Sequence, residues 1–320
     1  MRQFFLIHGV RLEIESPAGP LAEAAGEAFA GFTAPAGPAD LRWRLGLGRL
    51  PAPSPDEAPL FTYDALHGYD RGEAVEICHG GSVLRLPREG RVASGVVAPE
   101  TLAIPRFFSH VYLPLATQEL LRRRGRYYLH AAAVGRDGVW LLCPAESGQG
   151  KSTLTVSLLQ AGWQYLTDDS VLLWEERDGV EAGRFSTSFH ATEDALTRFP
   201  RLRAARRLAV WGEKFAYDPT PLFGPPAGER CRPQALVFPE IGLGPTRLEP
   251  LSATEAMTRL LRLSVLVFMN RELATPHLQT LRRLATTTAA RRVVLGTDAR
   301  EDPEPVMRLE SALWEAGAGR

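Results

Sequence analysis

The alternation of hydrophobic and polar residues divides the chain into a β-rich N-terminal part and a longer α/β part. In the first part, residues 4–15 and 41–47 alternate apolar and polar side chains, as half-buried strands do. Two further candidate strands, 74–78 and 82–86, are separated by the turn residues His79, Gly80 and Gly81, which predicts a hairpin. We therefore predict a small, mainly β domain at the N-terminus.

The rest of the chain mixes helix and strand patterns. They predict helices over 105–124, 151–162, 252–268, 276–285 and 305–314, and strands over 127–134, 139–143, 164–174, 234–238 and 292–295. A Ser252-x-x-Glu255 capping box marks the start of one helix. Residues 185–232 have no clear period. We place the domain boundary between residues 103 and 104, so that 104–320 forms the α/β domain.

A glycine-rich segment between a predicted strand and a predicted helix carries the clearest chemistry. Residues 145–153, AESGQGKST, have the phosphate-binding loop pattern except that Ala145 replaces the usual first glycine. We expect that position to have a negative φ. Glycines let backbone N–H groups surround a phosphate, the lysine reaches the β- and γ-phosphates, and the following hydroxyl holds Mg²⁺. The expected nucleotide-binding residues are Ser147, Gly148, Gln149, Gly150, Lys151, Ser152 and Thr153.

Lysine is rare in this chain. Of 37 basic residues only Lys151 and Lys214 are lysines, and the others are arginines. A compact ammonium fits between phosphate oxygens where a planar guanidinium does not. The lysine in the loop therefore supports a phosphate site, whereas Lys214 is either a further phosphate or substrate contact or an ordinary surface lysine.

Composition gives little guidance about binding partners. The formal net charge is zero, and this gives no reason to expect nucleic-acid or membrane binding. The three cysteines have no C-x-x-C spacing, and the first residues resemble a strand rather than a secretory leader. We expect a reduced, cytoplasmic protein without a structural metal.

Two adjacent carboxylates follow the loop at a distance that suits catalysis. Asp168 and Asp169 lie 17 and 18 residues after Lys151, about the length of one helix and strand, so they should return beside the phosphates. One carboxylate can hold Mg²⁺ while the other accepts a proton from an attacking hydroxyl. His130, on the strand before the loop, would approach the same place if that strand is an antiparallel neighbour; a lone histidine on an apolar strand is also typical of a core residue.

Together these residues resemble a known family. His130-Ala-Ala-Ala, the loop, and Leu166-Thr-Asp-Asp169 are similar, with matching spacing, to the C-terminal domain of HPr kinase/phosphorylase. The resemblance covers roughly residues 125–300 and is sharp over 128–172. It implies a bent mixed sheet like that of the nucleotide domain of phosphoenolpyruvate carboxykinase, with ATP and Mg²⁺ as cofactors. It also implies Asp168 as catalytic base, with Lys151 and His130 as further catalytic residues, and Mg²⁺ on Ser152 or Asp169.

The resemblance implies phosphorylation of a serine or similar hydroxyl, but we expect an acceptor other than the family's carrier protein. The family's downstream glycine-rich signature has no clear match; Ser188 and His190 stand in that region and either line the acceptor site or belong to a plain loop. The chain resembles the shorter HPr-kinase-related proteins, some of which phosphorylate a peptide hydroxyl. We therefore expect a peptide or protein acceptor, and the resemblance leaves a homo-oligomer open.

Two other functions remain compatible with the sequence. Small-molecule kinases of the shikimate or gluconate type also place acidic residues one β-α-β step after the loop, although without an upstream histidine at this spacing. A nucleotide-sensing protein without catalysis would also keep the loop. An acceptor screen with labelled ATP separates these alternatives from a peptide kinase.

Overall fold

The computed structural model of the chain describes residues 1–54, 56–186, 188–211, 213–268, 270–299 and 302–319. The chain divides into two compact units, Met1–Arg124 and Gly125–Arg320. No helix in the described ranges is both long and apolar enough to cross a membrane.

The N-terminal unit is built on one sheet. Its described elements are β1 (Arg2–Ile7), β2 (Val10–Glu15), α1 (Pro20–Ala28), β3 (Leu41–Leu47), β4 (Phe61–Tyr63), β5 (Leu66–Asp70), β6 (Ala74–His79), β7 (Ser82–Pro87), β8 (Val92–Val97), α2 (Pro99–Ala103) and α3 (Leu113–Arg122). The strand order is β1-β2-β3-β8-β7-β6-β5-β4. β6 and β7 pair antiparallel, so the predicted hairpin is confirmed.

The helix predicted over 105–124 belongs to the N-terminal unit and is interrupted. A π-turn spans Phe108–Tyr112, and the Leu113 N–H donates to the Phe108 carbonyl. Pro114 follows at the start of α3 and has no N–H to donate in an α-helical pattern, which accounts for the irregular turn.

The boundary between the units therefore differs from the predicted one, which lay after residue 103. Trp43 Nε1 donates to Thr117 Oγ1 of α3 at 3.0 Å, and the Tyr112 hydroxyl donates to the Ile77 carbonyl at 2.5 Å. These bonds tie α3 to the first sheet, and the division falls after Arg124.

The C-terminal unit contains the phosphate-loop motif. Its described elements are β9 (Tyr127–Arg136), β10 (Val139–Pro144), α4 (Lys151–Gln160), β11 (Gln164–Thr167), β12 (Ser170–Glu176), β13 (Gly179–Arg184), β14 (Phe189–Thr192), α5 (Ala195–Arg198), β15 (Arg207–Trp211), β16 (Lys214–Tyr217), α6 (Thr220–Phe223), β17 (Arg230–Cys231), β18 (Ala235–Ile241), β19 (Arg247–Pro250), α7 (Ala253–Arg262), α8 (Arg271–Thr287), β20 (Ala289–Leu295), α9 (Glu304–Met307) and α10 (Glu310–Ala318).

The main sheet of this unit is mixed, which confirms the predicted α/β class. Its order is β17-β13-β12-β9-β10-β18-β20-β19, with β11 also on β9. β10, β18 and β20 are parallel, whereas β9 is antiparallel to β10. Leu141 and Cys143 of β10 face a core that includes Leu154 of α4, and Leu142 faces a second core that includes Leu260 of α7. Helices therefore cover both faces of β10, as its continuous apolar run requires.

The unpatterned section 185–232 contains a second sheet. β14, β16 and β15 form a three-stranded antiparallel sheet in that order. Phe189, Phe215 and Tyr217 belong to the same core as α4, so this sheet packs beside the start of the loop helix. Its strands are four or five residues long and lack the period that would reveal them in the sequence.

Three predicted helices have different bounds. The helix predicted over 252–268 ends at Arg262, although its capping box is present. α8 begins before the predicted 276–285, with Pro276 inside it. The last helix is divided into α9 and α10.

Candidate phosphate-binding and catalytic site

Two glycines of the loop between β10 and α4 have left-handed backbone conformations. Gly148 has a φ of 85° and Gly150 a φ of 91°, values that strain a residue with a Cβ. A Cβ on Gly150 would also lie 2.2 Å from Leu295 Cδ1. Ala145 is not among the described residues with positive φ, so the expected negative φ at this position is confirmed.

The N-terminus of α4 is open toward the loop. The helix begins at Lys151, directly after Gly150, and its first turn has neither a side-chain cap nor an acidic residue. The Gln149 N–H donates to the Glu146 carbonyl at 3.3 Å and closes the loop turn. Because first-turn N–H groups lack partners within a helix and the helix dipole is positive there, this end suits an anion such as phosphate.

Lys151 links the loop helix to the end of β11. Its side chain is buried, its ammonium donates to the Asp168 carbonyl, and Nζ lies 4.0 Å from Asp168 Oδ1. The structure thus brings Asp168 beside the loop, where the spacing predicts the acidic pair.

Asp168 lies beside the loop, and only one of its two carboxylate oxygens accepts a hydrogen bond from a described residue. Ser152 Oγ donates to Asp168 Oδ2 at 3.1 Å, and the residue is only 1% exposed. Oδ1 is buried and accepts no hydrogen bond from any described residue. An unsatisfied buried carboxylate oxygen is costly, so a ligand such as a metal ion or its water is expected to satisfy it.

Asp169 occupies a more open position between two histidines. His130 Nδ1 and His190 Nδ1 lie 3.6 Å and 3.8 Å from Asp169 Oδ1. All three side chains remain between 27% and 29% exposed. His130 reaches this place because it is paired with Ser170 across β9 and β12. The two carboxylates thus have different surroundings.

The charges around Asp169 fix its ionisation state. Burial alone would raise its pKa, but His130, His190, Lys151 and a hydrogen bond with Ser170 bring that pKa down to about 2. Burial lowers the pKa of His130 below its ordinary 6.5, and this outweighs the opposite effect of Asp169. At neutral pH Asp169 is therefore a carboxylate and His130 a neutral imidazole, which has one donor and one acceptor nitrogen.

Two buried hydroxyls lie near β14, the strand that carries His190: one comes just before β14 and the other is on its partner strand β16. Ser188 Oγ and the Tyr217 hydroxyl are buried and have no hydrogen-bond partner among the described residues. Burial raises the pKa of Tyr217 far above its usual value, and the Asp168 charge adds to this effect. Sequence reasoning selected Ser188 but missed Tyr217, because only the pairing of β14 with β16 places it here.

Lys214 reaches the loop from the small sheet. Its Nζ donates to Ser147 Oγ at 2.6 Å, and both groups are exposed. The chain's two lysines therefore both contact residues of one site: Lys151 contacts Asp168, and Lys214 contacts the tip of the loop.

Arg198 is a further contact that sequence reasoning missed. Its Nη1 donates to Thr153 Oγ1 at 2.7 Å, in the first turn of α4. Burial lowers the pKa of Arg198, but arginine stays charged at neutral pH. One arginine among many in an unpatterned section gave no signal in the sequence.

The oxygen ligands at the loop suit Mg²⁺ only together with a nucleotide. Within the described ranges, no group of three or more His, Cys, Asp and Glu side chains is arranged to hold a metal ion. Mg²⁺ in phosphate sites commonly takes one or two carboxylates, waters and substrate phosphates. The Ser152 hydroxyl and the unpartnered Oδ1 of Asp168 fit that pattern.

Comparison with known proteins adds only a weak relationship. No protein-family model matches the chain, and no curated protein does. Among solved structures, the chain is similar to an HPr(Ser) kinase/phosphatase from Coxiella burnetii, with 14% sequence identity and a TM-score of 0.31 over 58% of this chain and 95% of that one. A likeness of this degree does not establish fold or function, so the functional assignment depends on the geometry of the site.

Proposed function

We propose that this chain is a Mg²⁺- and ATP-dependent kinase that transfers the γ-phosphoryl group to a serine or similar hydroxyl of a peptide or protein. The observation that carries the proposal is the division of the acidic pair beside a phosphate loop. Asp168 is buried against Ser152, whereas Asp169 is partly exposed between two histidines. Kinases that phosphorylate a hydroxyl commonly combine a metal-binding carboxylate with an aspartate that accepts the hydroxyl proton.

The loop and Lys151 bind the polyphosphate in this proposal. The amides around Gly148 and Gly150, the α4 N-terminus and the Lys151 ammonium surround the β- and γ-phosphates. Ser152 and Asp168 are the residues that would hold Mg²⁺, which when bound neutralises charge on the phosphate oxygens.

Asp169 is the proton acceptor that the geometry favours, in place of the Asp168 base that the family resemblance implies. Asp168 already accepts the Ser152 hydroxyl and is almost fully buried, whereas Asp169 is open to an incoming hydroxyl. As the acceptor oxygen bonds to the γ-phosphorus, its proton passes to Asp169 and the bond from that phosphorus to the β–γ bridging oxygen breaks. His130 and His190 flank the carboxylate, with their Nδ1 atoms 3.6 Å and 3.8 Å from Asp169 Oδ1.

Lys214 and Ser188 complete the acceptor side. Lys214 stands at the loop tip, where its ammonium can neutralise charge on the transferring phosphoryl group. Ser188 lies just before β14, two residues from His190, and its buried hydroxyl has no hydrogen-bond partner among the described residues. The peptide or protein nature of the acceptor rests on the sequence resemblance.

An acceptor screen with γ-labelled ATP tests the proposed reaction. Peptides that contain serine should become labelled, and labelling should require Mg²⁺. Transfer to metabolites alone would favour a small-molecule kinase, whereas tight nucleotide binding without transfer to any acceptor would favour a nucleotide-sensing protein.

Two matched variants separate the roles of the carboxylates. We expect Asp169→Asn to slow transfer by about 10²- to 10⁴-fold, the usual contribution of a general base, while Mg²⁺-ATP still binds. Asp168→Asn should instead raise the Mg²⁺ concentration needed for nucleotide binding. If Asp169→Asn keeps full transfer while Asp168→Asn abolishes transfer with an unchanged Mg²⁺ requirement, Asp168 is the base and this assignment is wrong.

A further inference from the structure

A cavity opens on the other side of the phosphate loop from the carboxylates. Its volume is about 550 Å³, which is in the usual range for small-molecule sites. The loop contributes Ala145, Glu146 and Gln149 to its wall, β18 contributes Phe238 and its neighbours, and α7 contributes the opposite wall up to Leu263.

The positions of the strands put this cavity and the proposed acceptor site on opposite flanks of β10. β9 lies on one side of β10 and carries His130, while β11 and β12, whose ends carry the acidic pair, both pair with β9. β18 lies on the other side and lines the cavity. In phosphoryl transfer the attacking and leaving oxygens are roughly in line through phosphorus, so the leaving nucleotide extends away from the acceptor.

We propose that this cavity binds the nucleoside, the base and ribose, of the nucleoside triphosphate. The inference rests on the proposed kinase function. It adds a binding site for the base and ribose, the parts of a nucleotide that a bare polyphosphate lacks. Because the loop residues Ala145 and Gln149 are part of the cavity wall, a ligand with its phosphates in the loop reaches the cavity without a gap.

The cavity wall has the chemistry that a flat, partly polar heterocycle needs. Phe238 and Leu263 are buried and supply apolar surface. The Arg259 guanidinium is fixed by an ion pair with Glu240 at 3.0 Å and lies over the Phe238 ring, with Cζ 5.8 Å from its centroid. Arg262 adds a second guanidinium, which is exposed. Planar guanidinium groups stack on aromatic rings, and the neighbouring polar side chains can bond the ribose hydroxyls.

A substitution that fills the cavity tests the inference without touching the loop or the carboxylates. Thr258 lines the cavity and is exposed on α7, so Thr258→Trp places an indole in the cavity at little cost to the core. Ala253→Trp is the matched control, since Ala253 is an exposed residue of the same helix that does not line the cavity. Affinities for ATP and for inorganic tripolyphosphate are measured by calorimetry on the full chain.

The expected result is a loss specific to the nucleoside. The wild-type chain should bind ATP at least about tenfold more tightly than tripolyphosphate, and Thr258→Trp should remove about this factor for ATP while leaving tripolyphosphate affinity unchanged. Ala253→Trp should change neither affinity. Unchanged ATP affinity in Thr258→Trp, equal losses for the two ligands, or no preference for ATP in the wild type would each overturn the inference.

This experiment reports binding and not transfer, so it also separates the two proposals. Nucleoside-specific binding without phosphoryl transfer would defeat the kinase assignment and leave the cavity assignment in place. Transfer from ATP that is insensitive to Thr258→Trp would support the kinase assignment and defeat the cavity assignment.

Discussion

The two flanks of β10 differ in their side chains, and the direction of the neighbouring strand explains the difference. β9 is antiparallel to β10 and brings His130 beside the acidic pair, so this flank is rich in charge. β18 is parallel to β10, so its carboxyl end emerges beside the loop and, with α7, leaves an open cavity. The charged groups therefore lie on one flank of β10, and the cavity lies on the other.

Of the lysine and histidine variants considered next, removal of the Lys151 ammonium should have the largest effect, and it should affect both flanks of β10. Lys151→Ala removes the buried positive charge beside Asp168, so we expect transfer to fall by about 10²- to 10³-fold, as for loss of one preorganised donor. ATP and tripolyphosphate affinities should fall together, because the proposed role of this lysine is to contact phosphate and not nucleoside. Calorimetry with both ligands checks this.

Lys151→Arg is the companion variant. The site around Lys151 is closed and the guanidinium is larger and planar, so we expect arginine to fail as alanine does. Retention of wild-type transfer by the arginine variant would mean that charge alone, and not the compact ammonium, matters at this position.

Sequence patterns were enough for the regular parts of this site. The strand-loop-helix motif predicts the loop, and one helix-strand step predicts that Asp168 returns beside it. The patterns do not assign separate roles to the two adjacent carboxylates. Neighbouring side chains of a strand point to opposite sides. The β11–β9 pairing is also irregular between Tyr165 and Thr167, immediately before Asp168 and Asp169, and the sequence does not reveal such an irregularity.

Other parts of the site and fold depended on long-range pairing that a sequence does not reveal. β14 and β16 are four-residue strands with long connections, so the sequence offers Lys214 as a phosphate or substrate contact only through the rarity of lysine and does not show that it meets Ser147. The predicted boundary puts α3 in the C-terminal unit, whereas the Trp43–Thr117 bond, which joins residues 74 positions apart, ties it to the first sheet.

A smaller effect is expected at Lys214, on the exposed side of the loop. Lys214→Ala should slow transfer by about tenfold, the effect of losing one charged hydrogen bond worth roughly 1.5 kcal/mol. Lys214→Arg should retain most of the activity, because this contact is exposed and has room for a guanidinium. Single-turnover rates distinguish the variants. Equal rates in wild type and Lys214→Ala would show that Lys214 does not contribute to transfer.

The smallest expected effect is a pH dependence of stability that comes from His130. Burial lowers its pKa in the folded chain, so the unfolded chain binds a proton more readily and stability falls as pH drops below 6.5. Asp169, with a pKa of about 2, stays ionised in this range and contributes a further loss only as the pH falls below its ordinary value of 3.8.

His130→Gln should therefore flatten the pH dependence of the free energy of unfolding just below pH 6.5. The change in slope cannot exceed about 1.4 kcal/mol per pH unit, the limit for one proton. Denaturant titrations of wild type and variant at several pH values measure it. An unchanged slope would show that His130 titrates equally in the folded and unfolded chains.

The most direct test of the two-flank account is a crystal structure with Mg²⁺ and a non-hydrolysable ATP analogue. The account predicts the phosphates in the 145–152 loop, Mg²⁺ on Ser152 and Asp168, the γ-phosphate facing Asp169, and the base between β18 and α7. A nucleotide bound elsewhere, or one whose γ-phosphate points toward the cavity and away from Asp169, would contradict it.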